Sequence, residues 1–192
     1  GADRLISALF GPTHLCRDDP GLEIYTQRLS TADRGALQAE ALGMARAMHD
    51  TGLVSDYQVG FVQFIMASDY HDLLPQVLGL SSTGLDCLRC YQPLVNQLIK
   101  EAVHLSTGEA ILGIALMLER GILYSPPIAP SLWRILATEP STACALSLDA
   151  AFGPVIPPRE RMIAGVVQML GQPLGVGQGN NPTCQSARAL SM

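Results

Sequence analysis

The sequence predicts an all-α fold, an irregular orthogonal multi-helix array of about eight or nine helices. Apolar residues recur at spacings of three and four, which puts them on one face of a helix. Many of these segments open on Ser, Thr, Asp or Pro and close on Gly or Pro, the residues that start and stop helices. No stretch shows the clean apolar–polar alternation of a half-buried strand, and β-branched or aromatic runs are few.

Taken in order, residues 2–10 form a short amphipathic helix stopped by Gly11 and Pro12. A loop with His14, Cys16, Asp18 and Asp19 leads to Pro20, which opens a short helix over 21–29. Ser30, Thr31 and Asp33 supply an N-cap with acid in the first turn, favourable against the helix dipole. Leu37, Ala41, Met44, Ala45 and Met48 are the buried stripe of the helix that follows, and Gly52 ends it. Ser55 and Gln58 have capping-box spacing before a helix carrying Val59, Phe61, Val62, Ile65 and Met66. Pro75 sits in the first turn of a short helix over 73–78.

From Ser81 onward the pattern reads as one long helix to Val103, with Pro93 kinking or breaking it near Tyr91 and Gln92. Ser106 and Glu109 again have capping-box spacing, ahead of a strongly apolar helix that ends at Gly121. The prolines between Tyr124 and Pro130 read as a rigid linker, because a residue before proline is pushed to extended geometry. Helices are expected from Ser131, with the single tryptophan Trp133, from Ser141 to Phe152, and from Pro158 to Leu170. Residues 1–171 are therefore read as a helical domain with a Pro-rich joint at 124–130. Residues 172–192 are read as a Gly/Asn-rich loop and the start of a further helix.

Composition narrows the function classes. Apolar residues are 48% of the chain and charged residues only 15%, so a large share of it is expected to be buried. With a net charge of −5 and Lys100 the only lysine, there is no basic patch to neutralise phosphates, and nucleic-acid binding is not expected. The longest apolar run, 110–118, is far short of the ~20 residues of a membrane span. Five cysteines scattered without a framework pattern fit a reducing compartment better than a disulfide scaffold. Partners are expected to be a protein or peptide, and no cofactor is expected.

The stretch with the most chemical character is 175–190. A run of Gly175, Gly177, Gly179, Asn180 and Asn181 stops at Pro182 and Thr183, Cys184 follows, and a helix-forming segment begins. A thiol at a helix N-terminus faces free N–H groups and the positive end of the dipole, which lowers its pKa and can cradle an oxyanion. Gln178-Gly179 followed by Cys184 resembles the nucleophile loop of papain-like and transglutaminase-like cysteine enzymes, a local match in which Pro182, Thr183 and Gln185 differ from the usual signature. The resemblance implies Cys184 as nucleophile and Gln178 as side-chain oxyanion donor. It also implies a histidine base downstream of Met192, so that the chain is the helical amino-terminal region of a peptidase, amidase or acyltransferase and is incomplete by itself.

Two other patterns invite functional readings. Cys87 and Cys90 form a C-x-x-C, which metal sites and thiol-redox proteins use; no second ligand pair stands nearby and the region reads as helix, so a purely structural pair on one turn is the competing account. His71 lies between Asp69 and Asp72, either an acid–base or metal cluster or a solvated junction. His49 and His104 fall near helix C-termini, where a cation complements the dipole. A helical protein-interaction module without catalysis is the remaining reading.

Overall fold

The computed structural model describes residues 1–139 and 157–172. Among them the chain forms ten α-helices and no strand, close to the eight or nine expected. They are α1 (Ala2–Phe10), α2 (Leu22–Thr31), α3 (Arg34–Thr51), α4 (Asp56–Ala67), α5 (Leu74–Leu78), α6 (Ser82–Cys90), α7 (Gln92–Ala102), α8 (Ala110–Glu119), α9 (Ile128–Ala137) and α10 (Pro158–Gly171). No helix among the described residues is long and apolar enough to cross a membrane. The expected helix over 141–152 lies outside the described residues.

Capping residues account for several of the boundaries. Asp33 accepts a hydrogen bond from the Ala36 N–H at 2.8 Å and starts α3, whereas Ser30 and Thr31 belong to the last turn of α2 rather than to a cap. Gly52 closes α3 at φ 70, the left-handed conformation that costs glycine nothing. Ser55 caps α4 through the Tyr57 N–H at 3.2 Å, but Gln58 does not complete the box. Its amide turns inward instead, donating to the Val77 carbonyl at 3.2 Å and tying α4 to α5. The break at Tyr91 separates α6 from α7, with Pro93 in the first turn of α7. At Ser106 the expected capping box is absent: His104 and Thr107 cap a single 3-10 turn, and α8 begins only at Ala110. Helix α9 begins at Ile128, inside the stretch expected to be extended linker, because Pro130 falls in its first turn where a missing N–H costs nothing.

One continuous apolar core runs from Cys16 and Tyr25 through α3–α8 to Ile163, Ala164, Val166 and Val167 of α10. Helix α8 is its axis, with every residue from Ala110 to Ala115 buried. Helix α10 packs on α8 and α7, α6 on α8, α3 on α5, and α2 on α4. The α8–α10 contact is glycine against glycine. A Cβ on Gly113 would lie 2.8 Å from the Gln168 Cα, and one on Gly171 would lie 2.2 Å from the Gly113 carbonyl oxygen. Two side-chain clamps hold α10 in place, one to α7 and one to the end of α8. Arg159 pairs with Glu101 at 3.0 Å, and the Arg120 guanidinium donates to the Gly171 carbonyl.

Carboxylates also organise joints between helices. Glu119, at the end of α8, accepts from the Ser81 N–H at 2.6 Å and the Ser81 hydroxyl at 2.7 Å. It thereby places a negative charge on the N-terminus of α6, where the helix dipole favours it.

Candidate functional site

Cys184 and Gln178, the expected nucleophile and oxyanion donor, lie outside the described residues. The helical body does define where the chain departs toward them. Gly171, the last residue of α10, is buried, and its carbonyl accepts from Arg120.

The described thiols sit in two contrasting environments. Cys16 is fully buried in the loop between α1 and α2. Its neighbour Thr13 donates its hydroxyl proton to Glu40 Oε2 at 2.6 Å, so at the 3.0 Å contact between Cys16 Sγ and Thr13 Oγ1 the thiol is the donor. Burial pushes the Cys16 thiol above its ordinary pKa, with Thr13 opposing in part. A protonated, enclosed sulfur is a packing group, not a nucleophile.

The residue at the centre of this cluster is Glu40, which the sequence reading passed over. It projects from the buried face of α3 and is only 2% exposed. Oε2 accepts from Thr13 and from the Tyr25 hydroxyl at 2.9 Å, and Oε1 accepts from the Leu15 N–H at 2.8 Å. Burial is the main cause that drives the Tyr25 phenol far above its ordinary pKa, with the Glu40 charge adding to it, so the phenol stays a donor. Around this centre, Arg28 forks onto Asp18 at 2.7 and 2.9 Å and donates to the Leu15 carbonyl at 2.7 Å. The Arg28 hydrogen bonds hold the Asp18 carboxyl down to about 2. A carboxyl held below its unfolded value stabilises the fold above about pH 4, and that contribution fades as pH falls toward 2. The Tyr57 hydroxyl donates to Asp19 and accepts from the Gly21 N–H at 2.9 Å. Every oxygen of Glu40 is thus occupied by a donor from the chain itself. The arrangement fastens the 11–21 loop to α2, α3 and α4 and leaves no open acid or base.

The second pair, Cys87 and Cys90, lies on the last turn of α6. Cys87 is fully buried and Cys90 exposed. Tyr124 donates its hydroxyl to Cys90 Sγ at 3.6 Å. Its ring meets Tyr91 edge to face with centroids 5.5 Å apart. Burial raises the Cys87 thiol above its ordinary pKa, and the hydrogen bond to Cys90, with desolvation behind it, pushes Tyr124 up to about 12.

The histidines are tied into the body. His49 Nε2 contacts the Leu78 carbonyl at 2.9 Å, joining α3 to α5. His104 contacts the Glu101 carbonyl at 3.1 Å and Glu160 at 3.3 Å. At the His71 junction, Asp72 pairs with Arg34 of α3, which makes it an interhelical contact. Among the described residues no group of three or more His, Cys, Asp or Glu side chains converges as a metal site. The chain matches no protein-family model, and no similar protein was found among curated proteins or solved structures.

Proposed function

We propose that the helical body is the scaffold of a cysteine hydrolase or acyltransferase acting on peptide or amide bonds, with Cys184 as nucleophile and Gln178 as oxyanion donor. The observation that carries the reading is the sequence of 175–190, a Gly/Asn loop delivering a thiol to the start of a helix-forming segment. The structure supports it indirectly. Two candidate groups of the body are engaged internally, Cys16 by burial and Glu40 by three donors, and α10 ends at Gly171, whose carbonyl accepts from Arg120. His49 and His104 are engaged with backbone carbonyls. The resemblance puts the general base of this reading in a histidine outside the helical body.

Alkylation of the native chain by iodoacetamide tests the thiol directly. Trypsin releases Cys184 in peptide 162–188 and Cys90 in peptide 90–100, so their rates are read from one digest. Cys184 is expected to be half-maximally reactive at least about one pH unit below the free-thiol value of about 8.5. A Cys184 profile that coincides with an unperturbed thiol removes the proposal.

A protein-interaction module is the second reading, favoured by one observation. Leu5, Ile6 and Phe10 on α1 are 45, 57 and 54% exposed, and only Ala8 of that helix is buried. An apolar face of this kind is a contact surface when it is contiguous. Light scattering over a concentration series is expected to show self-association that Ile6→Glu with Phe10→Glu abolishes. A strict monomer in both forms counts against this reading.

A further inference from the structure

The geometry points to Cys87 and Cys90 as an oxidant-sensitive thiol pair, a modification site at which a hydroperoxide closes a disulfide and opens the last turn of α6. It stands independently of Cys184.

The two cysteines are three residues apart on α6. Helix geometry puts their Cα atoms about 5 Å apart, inside the range a disulfide spans. Side chains at this spacing have Cβ atoms about 5–6 Å apart, whereas a disulfide needs roughly 3.5–4.5 Å. Closing the gap of about 1–2 Å therefore requires the backbone between them to leave the helical conformation. This is the place in α6 where that is easiest. Cys90 is the last helical residue, and Tyr91 is already non-helical at φ −121 and ψ 25. The Tyr91 N–H is shared between the Cys87 and Leu88 carbonyls at 3.1 and 3.2 Å. Pro93 has no N–H to return to the Arg89 carbonyl, so the turn is not continued into α7.

The two sulfurs have complementary exposure. Cys90 is open to solvent and meets the oxidant, while Cys87 is fully buried and reachable only by its neighbour. Their i, i+3 spacing places them on one side of the turn, where the Tyr124 hydroxyl donates to Cys90 Sγ. In the first step the Cys90 sulfur attacks one peroxide oxygen, the O–O bond breaks, and Cys90 becomes a sulfenic acid as water leaves. In the second, the Cys87 sulfur attacks the Cys90 sulfur, expelling the sulfenic oxygen as water with the Cys87 proton. Two thiols and one hydrogen peroxide thus yield one disulfide and two waters, a two-electron oxidation. Bond formation displaces the Cys90 sulfur to which the Tyr124 hydroxyl donates and shifts Tyr91, whose ring packs on Tyr124. Oxidation is thereby transmitted to the α6–α7 joint and to the turn that carries Tyr124.

Trypsin supplies the test, because it cuts after Arg89, between the two cysteines. The full chain, and a Cys184→Ser form that keeps this readout apart from any chemistry at Cys184, are treated with hydrogen peroxide, blocked with N-ethylmaleimide and digested without reductant. Peptides 47–89 and 90–100 are expected to appear joined, lighter by two hydrogens than their sum, and to separate on reduction. Amide exchange over 88–92 is expected to accelerate in the oxidised chain. In a Cys87→Ser variant, Cys90 is expected to advance to sulfinic acid with no joined peptide. The proposal is overturned if the wild-type digest shows Cys90 as sulfinic acid with peptide 47–89 unlinked, or if the disulfide joins two chains through Cys90. The wild-type digest decides this even where a variant fails to fold.

Discussion

Gly113→Ala is expected to destabilise the protein by about 3 kcal/mol, even though alanine is a better helix former than glycine by about 1 kcal/mol. The added Cβ would meet the Val167 carbonyl oxygen and the Gln168 Cα, both at 2.8 Å, and these are backbone atoms that no rotamer change can move aside. Helix α10 must shift bodily away from α8, taking Ile163, Val166 and Val167 out of the core and loosening the Arg120 contact to Gly171. Gly171→Ala drives the same wedge from the other side, its Cβ falling 2.2 Å from the Gly113 oxygen. The double variant should therefore cost clearly less than the sum of the two. Gly35→Ala is the control: it meets only Asp33 Oδ1 at 3.4 Å and is expected to be neutral or slightly stabilising. Urea unfolding followed by circular dichroism measures all four. A Gly113→Ala midpoint equal to that of Gly35→Ala would mean that α8 and α10 do not approach this closely in solution.

The helices themselves were legible in the sequence because their signals are local. The stripe of Leu37, Ala41, Met44, Ala45 and Met48 is buried throughout, and Pro75, Pro93 and Pro158 all fall in first helical turns. Where the reading failed, a distant partner had overridden a local rule. Gln58 fits a capping box by spacing, yet its amide is drawn to Val77, 19 residues away. Gly171 does end its helix, as the sequence suggests, but its burial against Gly113, which leaves no room for a Cβ, is not visible locally. Glu119 reads as a polar bound to an apolar run, and its role as the charge on the start of α6 depends on a fold that brings Ser81 to it.

The candidate sites divide along the same line. The motif at 175–190 and the C-x-x-C are visible because covalent spacing defines them. What sequence could not provide for Cys87 and Cys90 was their inequality, one enclosed and one open, and the tyrosine 34 residues from Cys90 that donates to its sulfur. Glu40 did leave a trace, as a carboxylate at a core position of the α3 stripe, three residues after Leu37 and four before Met44. A lone charge in such a stripe calls for partners. Thr13, Leu15 and Tyr25, from two other parts of the chain, are those partners.

Replacing that carboxylate is expected to have the largest effect of any single polar substitution in the body. Glu40→Ala would leave the Thr13 hydroxyl, the Leu15 N–H and the Tyr25 hydroxyl without their acceptor in a dry site, at a cost of about 4 kcal/mol. Glu40→Gln keeps the shape but turns an N–H₂ toward at least one of these donors, for about 2–3 kcal/mol. Tyr25→Phe removes a single donor and is expected to cost about 1–2 kcal/mol. Tyr25→Phe should cost measurably less in the Glu40→Gln background than alone, because the two substitutions break one shared hydrogen bond. A second readout separates a local effect from general loss of stability. Freed from Glu40, the Thr13 segment no longer encloses Cys16, so Cys16 in tryptic peptide 5–17 should become alkylatable under native conditions while Cys87 stays protected. Equal unfolding midpoints for wild type and Glu40→Gln, with Cys16 still protected, would show that the loop is held by its apolar contacts and not by the carboxylate.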